Sequence, residues 1–253
     1  MTQSKASLQN QDSDLTSQEV SAVPFVLPFV LYMLIASRSP SLGPESIDDV
    51  EVNQYFYIVI AQLIATVAIT IYFIRSYLRQ FPFRIDIWGV IVGVLGVVLW
   101  VGICHLNLER ELLEAFGFEN SLPERVGFNP FLQMTDSSQR LFFLICRFSM
   151  LAIMVPIVEE LFLRGWLVRY FADPEGDFHQ VKLSDVGRAG IIAAAVYGVA
   201  THPGEALAAF VWFSMVTVLM IRTGKFWNCV LAHAVTNLLL GIYVIFFEAW
   251  HLW

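Results

Sequence analysis

Residues 226–247 read F-W-N-C-V-L-A-H-A-V-T-N-L-L-L-G-I-Y-V-I-F-F, with no Asp, Glu, Lys or Arg among them. As a helix this run extends ~33 Å, enough to cross a ~30 Å hydrocarbon core. Working outward, residues 52–74 and 87–108 are uncharged and mostly apolar in the same way. Residues 20–37 are also uncharged, with Pro24 and Pro28 near the start, where a helix tolerates proline best. Residues 189–204 and 206–221 flank a lone Glu205, and a further apolar span over about 141–170 carries Arg147, Glu159, Glu160 and Arg164. The expected fold is all-α: a polytopic transmembrane helical bundle of about seven spans, or eight if the connection around 106–135 enters the bilayer.

Composition agrees. Hydrophobic residues make up 57% of the 253 positions and charged ones 15%, with a mean hydropathy of +0.64. A soluble domain carries about 25% charge, so a disordered chain is excluded and an ordinary soluble one nearly so. The net charge of −7 comes without a basic stripe, which argues against nucleic acid as a partner. Cys104, Cys146 and Cys229 lie in or beside apolar runs and form neither a C-x-x-C pair nor an even framework.

The organisation reads as a polar, disordered tail over residues 1–22 followed by one membrane domain, 23–253. The tail has no basic start leading into an apolar core, so it is not a secretory signal. Residues 172–188 form a polar loop, and E-R-E-L-L-E-A-F at 109–116 suggests a short interfacial helix. Arg75, Arg79 and Arg84, then Arg169, Lys182 and Arg188, then Arg222 and Lys225 fall on one face of a seven-span bundle. Glu45, Asp48, Asp49, Glu51 and the acid-rich 109–136 connection fall on the other, although Arg110, Arg125 and Arg140 lie there too. Basic loops favour the cytoplasmic side, so an inner (cytoplasmic) membrane protein with a cytoplasmic N-terminus is expected.

Intramembrane ionisable groups cost ~2.5–3.5 kcal/mol each on insertion scales and are functional candidates by default. Three clusters hold most of them. In V-P-I-V-E-E-L-F-L-R, Val155 to Arg164, Glu160 and Arg164 stand four apart on one helix face and can pair. Glu159 is rotated by about 100°, cannot share that partner equally, and as a carboxylate facing an apolar cavity is suited to general-base work. Pro156 removes a backbone donor just before the pair. In H-A-V-T-N, His233 and Asn237 also share a face. In T-H-P-G-E, Pro203 and Gly204 break a helix directly after His202. Each cluster also has a structural reading: a helix-locking ion pair, interhelical hydrogen bonding, or a short surface loop. Counted at ~1.5 Å per residue, all three lie at intermediate depth, so they can converge. Arg147 has no clear role on sequence, and His105, His179 and His251 sit at edges or in loops.

The order E-E-x-x-x-R, a helix ending near a His, then H-x-x-x-N resembles the CAAX protease and bacteriocin-processing family of Rce1-like, or Abi-type, intramembrane endopeptidases. The resemblance covers roughly residues 140–245. Glu159, Glu160, Arg164, His233 and Asn237 match fully. The second motif departs: Gly198 stands four before His202 where an aromatic is usual, and Tyr197 stands five before it. L-A-H-A-V-T-N-L-L-L-G-I-Y resembles the bacterial CAAX prenyl protease-related branch associated with PEP-CTERM and exosortase systems. The resemblance implies that Glu159 activates a water held with His202, that His233 and Asn237 stabilise the oxyanion, and that Glu160 and Arg164 fix the geometry. It implies no tightly bound cofactor, a zinc ion on Glu159, His202 and His233 being the alternative. The implied partners are the bilayer and a membrane-associated or lipidated protein substrate. Two other classes compete. One is a non-catalytic membrane scaffold or immunity-type protein with a structural polar core. The other is a redox or transport protein with two intramembrane histidines on haem.

Overall fold

The computed structural model describes residues 21–40, 42, 49–106, 108–117 and 127–252. Nearly all of the expected N-terminal tail lies outside the described residues, as does most of the acidic 45–49 run. Among the described residues every regular element is a helix. We number them α1 (Val23–Ala36), α2 (Asp49–Tyr72), α3 (Ile74–Gln80), α4 (Ile87–His105), α5 (Leu108–Ala115), α6 (Pro130–Gln133), α7 (Ser137–Ala172), α8 (Gly187–Thr201), α9 (Ala206–Thr223) and α10 (Phe226–Phe247).

Five of these, α2, α4, α7, α9 with its preceding turn, and α10, are long and apolar enough to cross a membrane. α1 and α8 are shorter apolar helices. The seven expected spans are therefore all helices. Between α4 and α7 the described residues form only α5 and α6, both too short for an eighth crossing. The outer surfaces are apolar: Ile64, Val98, Ile153, Val196 and Phe246 are each more than half exposed. A soluble protein would not present such a surface, whereas lipid suits it.

α10 lies along α4, and α9 packs on both α4 and α8. The close approach of α4 and α10 depends on Gly89, Gly93 and Gly96, spaced on one face. A Cβ on Gly93 would stand 2.6 Å from Val235 Cβ and 2.7 Å from the Ala232 carbonyl oxygen. With the backbones this close, Thr236 Oγ1 donates to the Gly93 carbonyl at 2.9 Å. Small residues at such a seam are how membrane helices gain packing without a hydrophobic driving force.

The basic residues mark one end of the bundle. There Tyr77 donates its hydroxyl to the Pro24 carbonyl at 2.6 Å, Gln80 donates to the His179 carbonyl, and Phe81 stacks on Phe226 at 4.2 Å. The start of α1, α3, the α7–α8 loop and the α9–α10 turn thus meet on one face. The 172–188 loop departs from its polar reading on its underside. Phe178, Leu183 and Val186 are buried there, because the ends of α1, α3 and α7 leave apolar surface that the loop must cover. Arg169 is buried beneath it and donates to the carbonyls of Val181, His179 and Gly165.

Candidate active site

α7 is not a uniform α-helix. Met150–Met154 and Leu161–Leu167 are π-helical, and Val155–Glu160 between them is α-helical. Such widened turns recur at functional sites. Here the proline explains one consequence. The Val155 N–H bonds to the Met150 carbonyl, so the Leu151 carbonyl loses its i+4 donor. Its i+5 neighbour is Pro156, which has no N–H. The carbonyl accepts instead from Asn237 Nδ2 on α10 at 3.0 Å. The proline and the asparagine, distant in sequence, form one backbone-satisfying device that ties α10 to α7.

The two glutamates diverge as their rotation requires. Glu160 is fully buried, and both its oxygens accept from Arg164 Nη1, at 2.8 and 2.7 Å. Arg164 is also fully buried; it donates Nη2 to the Phe213 carbonyl at 3.3 Å and lies over the Phe213 ring. Glu159 faces the other way. Its Oε1 accepts from the Tyr197 hydroxyl at 2.9 Å. His233 stands between the two carboxylates, with Nδ1 3.0 Å from Glu160 Oε1 and Nε2 3.7 Å from Glu159 Oε2. An ionised carboxylate only accepts, so Nδ1 carries a proton toward Glu160 and Nε2 is presented to Glu159. The Trp212 ring, 4.6 Å away edge to face, holds the imidazole plane.

His202 caps α8, with φ −130° and ψ 61°. Its Nδ1 lies 2.9 Å from Thr201 Oγ1 and 3.2 Å from the Gly198 carbonyl, and the Trp100 and Phe213 rings pack on it. The structure also accounts for the departure at Gly198. A Cβ there would lie 2.5 Å from the Phe213 ring, so no side chain fits. Tyr197, one position earlier, supplies the aromatic ring, and its hydroxyl reaches Glu159.

Glu159, His202, His233 and Asn237 line one cavity of about 300 Å³. Glu160, in contact with His233, and Arg164, paired with Glu160, stand behind it and are not among the lining residues. The three sequence clusters therefore converge. Among the further lining residues, Tyr197, Arg147, Glu205 and His251 were not assigned from sequence. Arg147 carried the signal of an intramembrane charge. His251 carried none, because only the turn at Trp250–Leu252 brings it back to the bundle.

The zinc alternative meets a poor donor set. Among the described residues no three His, Cys, Asp or Glu side chains gather closely enough to hold a metal ion. His202 Nδ1 is held by Thr201 and the α8 backbone and His233 Nδ1 by Glu160, so the Nε2 of each ring is the atom left to meet a ligand.

Residues 141–239 match the family model described as type II CAAX prenyl endopeptidase Rce1-like. No curated protein and no solved structure matches the chain.

Proposed function

We propose that this chain, whose residues 141–239 match the Rce1-like peptidase family model and whose five long apolar helices can cross a membrane, is an intramembrane endopeptidase that uses Glu159 as its general base. Its substrate is a membrane-associated or lipidated protein. The observation that carries the reading is the pair of glutamates on one helix with opposite surroundings. Glu160 is neutralised by Arg164 and out of reach of the cavity, whereas Glu159 lines it.

In this mechanism Glu159 takes a proton from a water positioned with His202, and the water oxygen attacks the substrate carbonyl. The tetrahedral oxyanion is met by the second hydrogen of Asn237 Nδ2, whose first is held on Leu151, and by His233 in its imidazolium form, in which Nε2 carries a proton as well as the Nδ1 held on Glu160. Collapse breaks the C–N bond, and Glu159 passes its proton to the leaving amine. Preorganised donors of this kind each contribute about 10²–10³ in rate. Glu160, paired with Arg164, acts through His233 by holding its Nδ1–H and its ring position. Tyr197 orients the Glu159 carboxylate.

The test compares protein termini in membranes of cells carrying wild type or Glu159→Gln at equal expression. Cleaved termini present with wild type and absent with the variant support the endopeptidase. Identical termini would favour the scaffold reading, in which the polar core serves folding alone.

A further inference from the structure

The cavity has a direction. Chain sense places its deep end at His233, about 10 Å along α10 from the basic face at ~1.5 Å per residue. From there the lining continues through Thr236, Asn237 and Leu240 toward the opposite end of α10. Its far rim comes from the C-terminal end of α8 and the start of α9 (His202, Glu205), the N-terminal half of α7 (Arg147) and the turn after α10 (His251). Every one of these lies away from the face where α3, the α7–α8 loop and the α9–α10 turn gather. Toward that basic face the site is sealed. Leu163, Arg164, Val216, Met220 and Cys229 are each fully buried beneath the glutamates.

The sealed face carries Arg75, Arg79, Arg84, Lys182, Arg188, Arg222 and Lys225 in its short loops, in α3 and at the adjoining helix ends. Lys and Arg in short loops remain on the cytoplasmic side during insertion. The open face is of mixed charge, with Glu51, Glu111, Glu114, Asp136, Glu205 and Glu248 alongside Arg38, Arg110 and Arg140.

We infer that the cavity opens on the extracytoplasmic side, so that the substrate is a membrane-tethered protein whose scissile segment lies outside the cytoplasm. This rests on the endopeptidase reading and narrows it: a lipidated tail displayed in the cytoplasm does not reach Glu159. The rim also fits a polar peptide segment descending from water better than a buried hydrocarbon chain, since Arg147, His202, Glu205 and His251 are its charged or ionisable members.

The experiment labels single cysteines in intact cells with a membrane-impermeant maleimide, using the full chain in a Cys104→Ser background. His251→Cys and Arg38→Cys, on the open face, are expected to label before permeabilisation. Lys182→Cys and Arg75→Cys are expected to label only after it. The reverse pattern would overturn the inference, and because labelling needs no turnover, this outcome is separate from failure of the endopeptidase reading. A second readout links the mouth to function. External maleimide on His251→Cys is expected to reduce formation of the cleaved termini at least tenfold while leaving Arg38→Cys unaffected. Unchanged cleavage with His251→Cys fully labelled would show that substrate enters elsewhere and would overturn the assignment.

Discussion

His233 joins the two glutamates of α7, with Nδ1 on Glu160 at 3.0 Å and Nε2 facing Glu159 at 3.7 Å. This arrangement separates what two adjacent carboxylates do. Glu159→Gln keeps the shape and removes the base, and a positioned general base is worth about 10²–10⁴ in rate. We expect turnover to fall by about that factor with thermal unfolding shifted by no more than a few degrees. Glu160→Gln lowers turnover too, and in addition lowers the unfolding temperature, because it leaves a buried guanidinium opposite a neutral amide. Peptidase rates and melting curves on the same membranes check both. Equal melting losses for the two variants would contradict the division.

The Glu160–Arg164 pair has no exposed side: both side chains are fully buried. Removing one partner of such a pair costs about 3–5 kcal/mol, whereas replacing both with apolar groups is often near neutral. Arg164→Met is therefore expected to destabilise by about that amount, and Glu160→Leu with Arg164→Met to recover most of it. Activity should not return in the double variant, because His233 loses the acceptor that fixes its proton on Nδ1. Denaturant titration paired with a cleavage assay reads both halves.

Much of this architecture was legible from residue order. Six uncharged runs and one apolar span with internal charges placed the seven helices, and the i, i+4 spacing of Glu160 and Arg164 fixed their pairing because a helix face is a local property. What stayed hidden depends on partners distant in sequence. Nothing around residue 151 marks its carbonyl as open; that follows only when the π-helical turn commits Val155 N–H to Met150 and Asn237 arrives from α10. The polar reading of 172–188 missed Phe178 because a single apolar residue in a loop acquires meaning only from the surface it covers. Tyr197 looked misplaced by one position until Phe213 showed why residue 198 has no room for a ring.

Tyr197→Phe tests that last point. The variant keeps the ring packing on Phe29, Phe162 and Phe213 and deletes the hydroxyl that donates to Glu159 at 2.9 Å. A hydrogen bond to a charged group is worth about 1.5–3 kcal/mol, so an approximately tenfold or larger loss of kcat is expected with KM little changed. Gly198→Ala should act differently: overpacking against Phe213 costs about 1–3 kcal/mol of stability. Wild-type kcat in Tyr197→Phe would remove Tyr197 from the site.

Gly93→Val probes the α4–α10 seam. Its Cβ would meet the Ala232 backbone oxygen at 2.7 Å, and backbone yields less readily than a side-chain tip. The two helices must separate, breaking the Thr236 bond to Gly93 and moving His233 and Asn237 away from α7. Loss of both stability and cleavage is expected, whereas Gly102→Val, which meets nothing within 4 Å, should leave both intact. Side-by-side melting and cleavage measurements decide it.

At the basic face, Lys225 Nζ lies 2.7 Å from Asp86 Oδ2, and Asp86 Oδ1 accepts from the backbone N–H of Trp88 and from Asn228 Nδ2. The Lys225 hydrogen bond, opposed by partial desolvation and supported by the Trp88 and Asn228 donors, holds the Asp86 carboxyl below its ordinary range. A carboxylate whose folded pKa is depressed stabilises the fold above its unfolded value, about 4, and that stabilisation fades as pH falls through the folded pKa. Wild type should therefore melt above Asp86→Asn at neutral pH, with the gap narrowing steadily below about pH 4. The latch is partly exposed, so the gap should also shrink with added salt. Melting temperatures across pH 3–7, at low and high salt, give both dependences; a gap that stays constant with pH would mean that the ionised Asp86 contributes nothing to closing the α4–α10 end of the bundle.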